Sequence, residues 1–323
     1  MPRAQGDRIF IMTNTTDSKR KLQVWSASPT PFHENLSIDE ASLGRLIDHH
    51  AMLGCDGLFL AGTCGEGPWL TNRQRVELVQ KAAVANRGRL RLAAQVTDNS
   101  AARVLEQIDA VAGLGLDLAV VAQPAFFMNP TPARVVGYYL DILNASPLPV
   151  CIYDRGWKKE FPLTPEILSE IFAHPRAVMI KDSSVDPTHR DAAIAARSLR
   201  PDLVLLTGDE FSCPAYLDAG YDGMMTGGAV LAARFLRRMC EAHVAGLASE
   251  VSAVDAHMRK MLLTVYGGES ITCWLTGLKH ALVRLGVFST TASFLQYPLT
   301  NECREGIDEL ADSNALLDYS SGD

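Results

Sequence analysis

From residue 22 to residue 227 the chain repeats one phrase: a short apolar run, a turn, then an amphipathic stretch. The runs fall at 23–28, 57–62, 91–96, 117–123, 149–154, 177–182, 203–208 and 222–227. Between them lie stretches with helical spacing, such as 38–53, 72–86, 101–114 and 131–144, with Asp39, Asn72, Ser100 and Thr164 where helix caps belong. The runs are apolar on both faces, as strands of a parallel sheet must be when other layers cover both sides. Strand–helix units repeated eight times predict a (β/α)8 TIM barrel, an α/β fold. The competing open, doubly wound sheet more often carries a Gly-rich phosphate loop after its first strand. Here that turn reads Ser28-Pro29-Thr30-Pro31-Phe32, which cannot cradle a phosphate.

The remainder divides simply. Residues 1–21 form a polar leader without a signal peptide's apolar stretch, expected to be disordered or extended. The barrel is assigned to 22–240, and a helical C-terminal subdomain to 241–323, with helical patterns at 248–266, 271–285 and 301–317. No Pro/Gly/Ser-rich linker separates the two, so the subdomain is expected to rest on the barrel. A formal charge of −7 and a pI near 5.6 argue against nucleic-acid or anionic-membrane partners. Seven cysteines, odd in number and without a CxxC pair, indicate a reducing compartment; with no apolar run of spanning length, a cytoplasmic protein is the expectation.

In a barrel the chemistry gathers at the carboxyl ends of the strands. The run Ala177-Val178-Met179-Ile180-Lys181-Asp182 ends on a lysine that burial would strip of water, favouring the neutral amine that attacks ketones. The competing reading is a lysine snorkelling out of the strand or paired to Asp182. Val150-Cys151-Ile152-Tyr153-Asp154 repeats the same pattern one strand earlier, so Tyr153 and Lys181 are expected side by side, with Tyr153 as acid/base. The alternative for Tyr153 is a residue filling a barrel layer. Gly62-Thr63-Cys64-Gly65-Glu66 ends the second strand, where small residues let a carboxylate approach backbone N–H groups and where the Thr63 hydroxyl can relay a proton to Tyr153. Gly223-Met224-Met225-Thr226-Gly227 offers a similar opening. No histidine sits at a strand end in a ligand cluster, so no metal site is expected, and no G-x-S-x-G elbow is present. Cys64 has no histidine evidently placed to activate it, and reads as a small residue tolerated in a turn.

In this order and spacing, Thr30-Pro31-Phe32, Gly62-Thr63-Cys64-Gly65-Glu66, Tyr153, Ile180-Lys181-Asp182-Ser183-Ser184, Gly208-Asp209-Glu210 and Gly223–Gly227 form one pattern. The chain resembles the dihydrodipicolinate synthase / N-acetylneuraminate lyase family of pyruvate-handling class I aldolases, from about Leu22 to Leu285. The resemblance implies a Schiff base between Lys181 and a 2-oxo acid such as pyruvate, with no cofactor. It makes Tyr153 the acid/base and Thr63 its link to solvent. The backbone of Thr63 and Cys64, flanked by Gly62 and Gly65, would hold the substrate carboxylate, and the Met225 carbonyl would line the lysine. Asp209 and Arg155 are the remaining candidates for substrate contact, and a homotetramer built from tight dimers is the implied assembly.

The chain departs from the members that make dihydrodipicolinate. They typically carry a tyrosine after strand four, where this chain has Pro124-Ala125-Phe126-Phe127-Met128, and an arginine a few residues beyond the catalytic tyrosine, where it has Arg155-Gly156-Trp157-Lys158-Lys159. Arg155 or Lys158 could contact an acidic group on a sugar acid; solvated surface charge is the plainer reading. The expectation is therefore a Schiff-base lyase acting on a 2-keto-3-deoxy sugar acid or related hydroxylated 2-oxo acid. Its rivals are a dihydrodipicolinate synthase, a keto-deoxy acid dehydratase and a non-catalytic 2-oxo acid binding protein.

Overall fold

The computed structural model describes residues 21–318, which leaves all of the expected leader but Lys21 outside the described residues. Strands β1 (Gln23–Ser26), β2 (Gly57–Leu60), β3 (Arg91–Gln95), β4 (Leu118–Ala122), β5 (Val150–Asp154), β6 (Ala177–Asp182), β7 (Val204–Thr207) and β8 (Gly223–Thr226) close into a barrel in chain order. Every ladder is parallel, including the one in which β8 returns to β1. Most strands are slightly shorter than the apolar runs. At β2 the cause is local: Ala61 takes a positive φ of 51°, which turns the chain out of the ladder.

Alternation along the strands explains why both faces are apolar. Trp25, Phe59, Cys151, Met179 and Met225 fill the barrel interior, while Val24, Leu58, Ile152, Ile180 and Met224 face the helices. The helices are α1 (Glu40–Met52), α2 (Asn72–Asn86), α3 (Ala101–Val111), α4 (Pro132–Ala145), α5 (Pro165–Phe172), α6 (Pro187–Leu199), α7 (Cys213–Asp218) and α8 (Ala229–Val244). Asp39, Ser100 and Thr164 cap α1, α3 and α5, each accepting a backbone N–H of the first turn. The expected cap at Asn72 is corrected: Thr71 is the cap, and Asn72 begins α2. Thr71 wins because Gln74, three residues on, returns a bond to its backbone and completes a capping box.

Three further helices, α9 (Ala248–Tyr266), α10 (Trp274–Arg284) and α11 (Asn301–Asp312), follow, with α9 against α8 and all three against one another. Residue 240, taken as the end of the barrel in the sequence, falls inside α8, which runs to Val244. Among the described residues no helix is long and apolar enough to cross a membrane.

Candidate active site

Tyr153 and Lys181 are ladder partners on β5 and β6, and so are Asp154 and Asp182 one residue on. The pleat therefore sends the phenol and the amine into the barrel and both carboxylates to its outside. There Asp154 meets His189 of α6 at 2.7 Å, while Asp182 accepts bonds from Ser184 and, at 2.7 Å, from the Tyr221 hydroxyl. Pairing of Lys181 to Asp182, one of the plainer readings of the sequence, is thus not what the structure shows. Lys181, 4% exposed, instead places Nζ 4.4 Å from the Tyr153 ring centre and 4.9 Å from that of Phe59. Room for it comes from Gly208 at the end of β7, where a Cβ would stand 2.8 Å from Lys181 Cε and 1.9 Å from Ser183 Oγ.

Tyr153 sits among groups that favour its anion. Burial by itself pushes the phenol up. The Lys181 ammonium, the Thr63 hydroxyl, the Arg155 guanidinium and the Ser183 hydroxyl outweigh it and hold Tyr153 below the usual tyrosine range. Thr63, half-buried at the turn after β2, thus has its hydroxyl at Tyr153.

The turn itself is tightly built. Thr30 Oγ1 donates to the Gly65 carbonyl at 2.7 Å, and a Cβ at Gly65 would press on Ala61 and Ser28 backbone atoms. At Gly62 a Cβ would strike the Phe59 ring. Neither the Thr63 nor the Cys64 N–H finds an acceptor among the described residues, which leaves two adjacent donors for a carboxylate. Cys64 is buried with its thiol pushed up to about 12, first by burial and then by Glu210, so it is no nucleophile. Its sulfur lies near Gly227, which joins the turn to the end of β8.

The other expected contacts are placed less uniformly. Met225 is wholly buried on β8 beside Trp25 of β1. Arg155 is exposed, bears on Tyr153 through its charge, and gives its backbone N–H to Gln123 Oε1 at 3.1 Å. Asp209 uses its carboxylate within its own loop, accepting from the Phe211 N–H at 3.0 Å. Its neighbour Glu210 reaches toward the site: the Lys181 charge bears on it, and it accepts bonds from Tyr266 and from the Gly228 N–H. Of the aromatics after β4, Phe126 is exposed, whereas Phe127, partly buried, packs edge-on to Phe161 at 4.9 Å against the edge of the core.

One functional pair lies beyond what the motif spacing reveals. Glu66 occupies a left-handed position, φ 57°, and its carboxylate is wholly buried against Lys279 of α10 at 2.6 Å. Its other oxygen accepts from Ser293 and the Phe294 N–H. The turn that offers Thr63 and Cys64 is thus tied to the C-terminal helices. Among the described residues no group of three or more His, Cys, Asp or Glu side chains is disposed to hold a metal.

This geometry can bind a carboxylate at the turn after β2, present an amine to the neighbouring carbon and move a proton through Tyr153 and Thr63. The model of the dihydrodipicolinate synthetase family matches residues 21–313. The 4-hydroxy-tetrahydrodipicolinate synthase of Stenotrophomonas maltophilia is 29% identical over 234 residues, 72% of this chain and 78% of that one. The enzyme of that name from Pseudoalteromonas atlantica is 26% identical over 84% of this chain and 89% of its own. In fold, the chain is similar to the dihydrodipicolinate synthase of Bacteroides thetaiotaomicron, with a TM-score of 0.82 at 24% identity over 91% of this chain and 98% of that one. It is also similar to YagE, a prophage protein from E. coli K12 in complex with pyruvate, with a TM-score of 0.80 at 20% identity over 91% and 99% of the two chains.

Proposed function

The chain belongs to the dihydrodipicolinate synthetase family of pyruvate-dependent aldolases, and on that premise we propose that Lys181 holds pyruvate, or the pyruvyl end of a larger 2-oxo acid, as a Schiff base. The observation that carries this reading is the Tyr153–Lys181 ladder pair, an amine buried against a phenol with no carboxylate in ion-pair contact among the described residues. The substrate carboxylate rests on the N–H groups of Thr63 and Cys64. Tyr153 takes the proton of the Lys181 ammonium, and the freed amine attacks C2. The C2 oxygen, protonated through Tyr153, leaves as water, and the resulting iminium draws electrons from C3.

In the cleaving direction Tyr153 accepts the proton of the C4 hydroxyl. The C3–C4 electron pair collapses into the enamine and an aldehyde departs. Protonation at C3 and addition of water at C2 then release pyruvate and restore Lys181. The electron sink is the imine, so this reading calls for no cofactor or metal.

For the far end of the substrate, the reading is a 2-keto-3-deoxy sugar acid or similar hydroxylated 2-oxo acid. The exposed Arg155 after β5 supports it, as do phenylalanines at Phe126-Phe127 where the members that make dihydrodipicolinate carry a tyrosine. A second reading, condensation of pyruvate with aspartate semialdehyde, is favoured by the names of the Stenotrophomonas and Pseudoalteromonas relatives. A cytoplasmic homotetramer belongs to the same proposal, with the exposed Phe126, Met128 and Trp157 at the rim as apolar surface for a second copy.

Reduction with borohydride in the presence of pyruvate tests the core of the proposal. The intact protein should gain one reduced pyruvyl mass on Lys181, and Lys181→Ala none; a wild-type protein without added mass overturns it. Turnover of 2-keto-3-deoxy sugar acids against aspartate semialdehyde plus pyruvate then decides between the two substrates, and product mass reveals any loss of water in place of cleavage.

A further inference from the structure

Gln95 ends β3 and points into the barrel, because it follows by alternation from Ala93, a member of the interior cluster. Its ladder partner is Val120 on β4, whose own partner on β5 is Cys151. Barrel strands tilt, so the residue at equal height on the next strand lies just beyond the ladder partner. Two such steps lead from Gln95 to Tyr153. Alternate strands share a layer in this architecture, and the other members of this one are Ala27 and Gly208. Ala27 carries only a methyl group and the place a Gly208 side chain would take is filled by Lys181 and Ser183, so Gln95 and Tyr153 are the side chains of this layer that reach across the space above Lys181.

The carboxamide has no partner there. Gln95 is 7% exposed, its Oε1 is buried without a hydrogen bond, and its side chain makes none among the described residues. The other buried glutamines behave differently. Gln107 accepts from Arg75 at 2.9 Å, and Gln123 bonds both Arg155 and Gly156. A buried amide left unpaired is destabilising, and a core position gains nothing from keeping one. The partner must come from whatever occupies the space.

We propose that Gln95 contacts the substrate: its carboxamide bonds a hydroxyl on the carbon chain of the 2-oxo acid held at Lys181, which selects hydroxylated over deoxy chains. A hydroxyl suits it because it can give to Oε1 and accept from Nε2, whereas a methylene does neither. The inference rests on the Schiff-base reading above and extends it to the second reactant.

The test compares wild type with Gln95→Leu, using pyruvate with glyceraldehyde or with propionaldehyde. Both proteins should trap pyruvate under borohydride. Wild type should favour glyceraldehyde in kcat/KM by about tenfold or more, and Gln95→Leu should lose that preference by a similar factor. Without ligand, Gln95→Leu should melt no lower than wild type, since it removes an unpaired acceptor; a glutamine kept for structure would lower the melting temperature. If leucine blocks the trapping of pyruvate, Gln95→Ala must trap it and show the same loss of preference. Pyruvate trapping by wild type without an aldehyde preference, or with a preference that the variants retain, overturns the role of Gln95. So does failure of both variants to trap pyruvate. Failure of wild type to trap pyruvate overturns the Schiff-base reading instead, and the Gln95 inference with it.

Discussion

Two lysines are buried near the carboxyl end of the barrel, and they keep opposite company. Lys279 meets the Glu66 carboxylate at 2.6 Å and the Ala292 carbonyl at 2.7 Å, and stands 4.6 Å over the Phe32 ring. Lys181 has ring faces around it and no carboxylate in ion-pair contact among the described residues; Asp182, its nearest neighbour in sequence, is turned to the far side of the sheet. A cation given an anion and a carbonyl is fixed in place as a charge. One left without either, beside a phenol, is the amine that the proposed Schiff base calls for. Burial alone does not distinguish structural from reactive lysines; the partners do.

The sharpest way to break the comparison is to exchange the outcomes. Lys181→Ala should lower turnover at least about 10³-fold while the melting temperature changes little, as steady-state kinetics and calorimetry will show. Tyr153→Phe removes the phenol and leaves the ring beside Lys181. A loss of about 10²- to 10⁴-fold in kcat is expected, with the fold retained by circular dichroism; unchanged turnover would remove Tyr153 from the acid/base role.

Lys279→Met should do the reverse and act first on stability. It strands the Glu66 carboxylate in the interior, and urea unfolding should register a loss of about 3–5 kcal/mol. Adding Glu66→Gln should recover most of it, because the cost lies in the uncompensated charge.

Near neutral pH the smallest effect comes from a base that has no anion at all, and it sharpens the rule. His50 is fully buried, with Leu46 O at 2.7 Å from Nδ1 and Ser26 Oγ at 2.9 Å from Nε2. Burial, reinforced by His49, pulls its pKa from 6.5 down to about 3. Below 6.5 the unfolded chain takes up a proton that the folded one refuses, so stability should fall as pH drops from 6.5 toward 3. The slope from this one group approaches about 1.4 kcal/mol per pH unit, and unfolding curves of His50→Gln should be flatter across that window.

Much of this is legible in the residues alone. Runs apolar on both faces read as parallel strands covered twice, and their eightfold repetition without a Gly-rich phosphate loop after the first points to the barrel. Matching patterns in two successive strands place Tyr153 beside Lys181, because alternation leaves no other parity once one of them faces inward. What escaped the reading depends on distance or on a choice between neighbours. Thr71 and Asn72 can both cap a helix, and only the reciprocal bond from Gln74 decides. Phe127 turns toward the core while Phe126 stays out, a matter of which ring Phe161 receives. Gln95 gives no signal as a lone amide in a strand until its neighbours are seen to offer it nothing. Lys279 is separated from Glu66 by most of the chain, and no local pattern marks one as the counter-ion of the other.

That separation has a consequence for how the protein is born. On the ribosome the eight strands emerge, and can close, well before α10 does. Until then Glu66 has neither its lysine nor the Ser293 and Phe294 groups that complete its set of partners, and the turn carrying Thr63 and Cys64 is held from the barrel side alone, by bonds such as that from Thr30 to the Gly65 carbonyl. A nascent chain halted after its last strand would be a closed barrel with an unfinished mouth. The final stretch of translation therefore supplies the groups that pair Glu66 and tie the turn after β2 to the C-terminal helices.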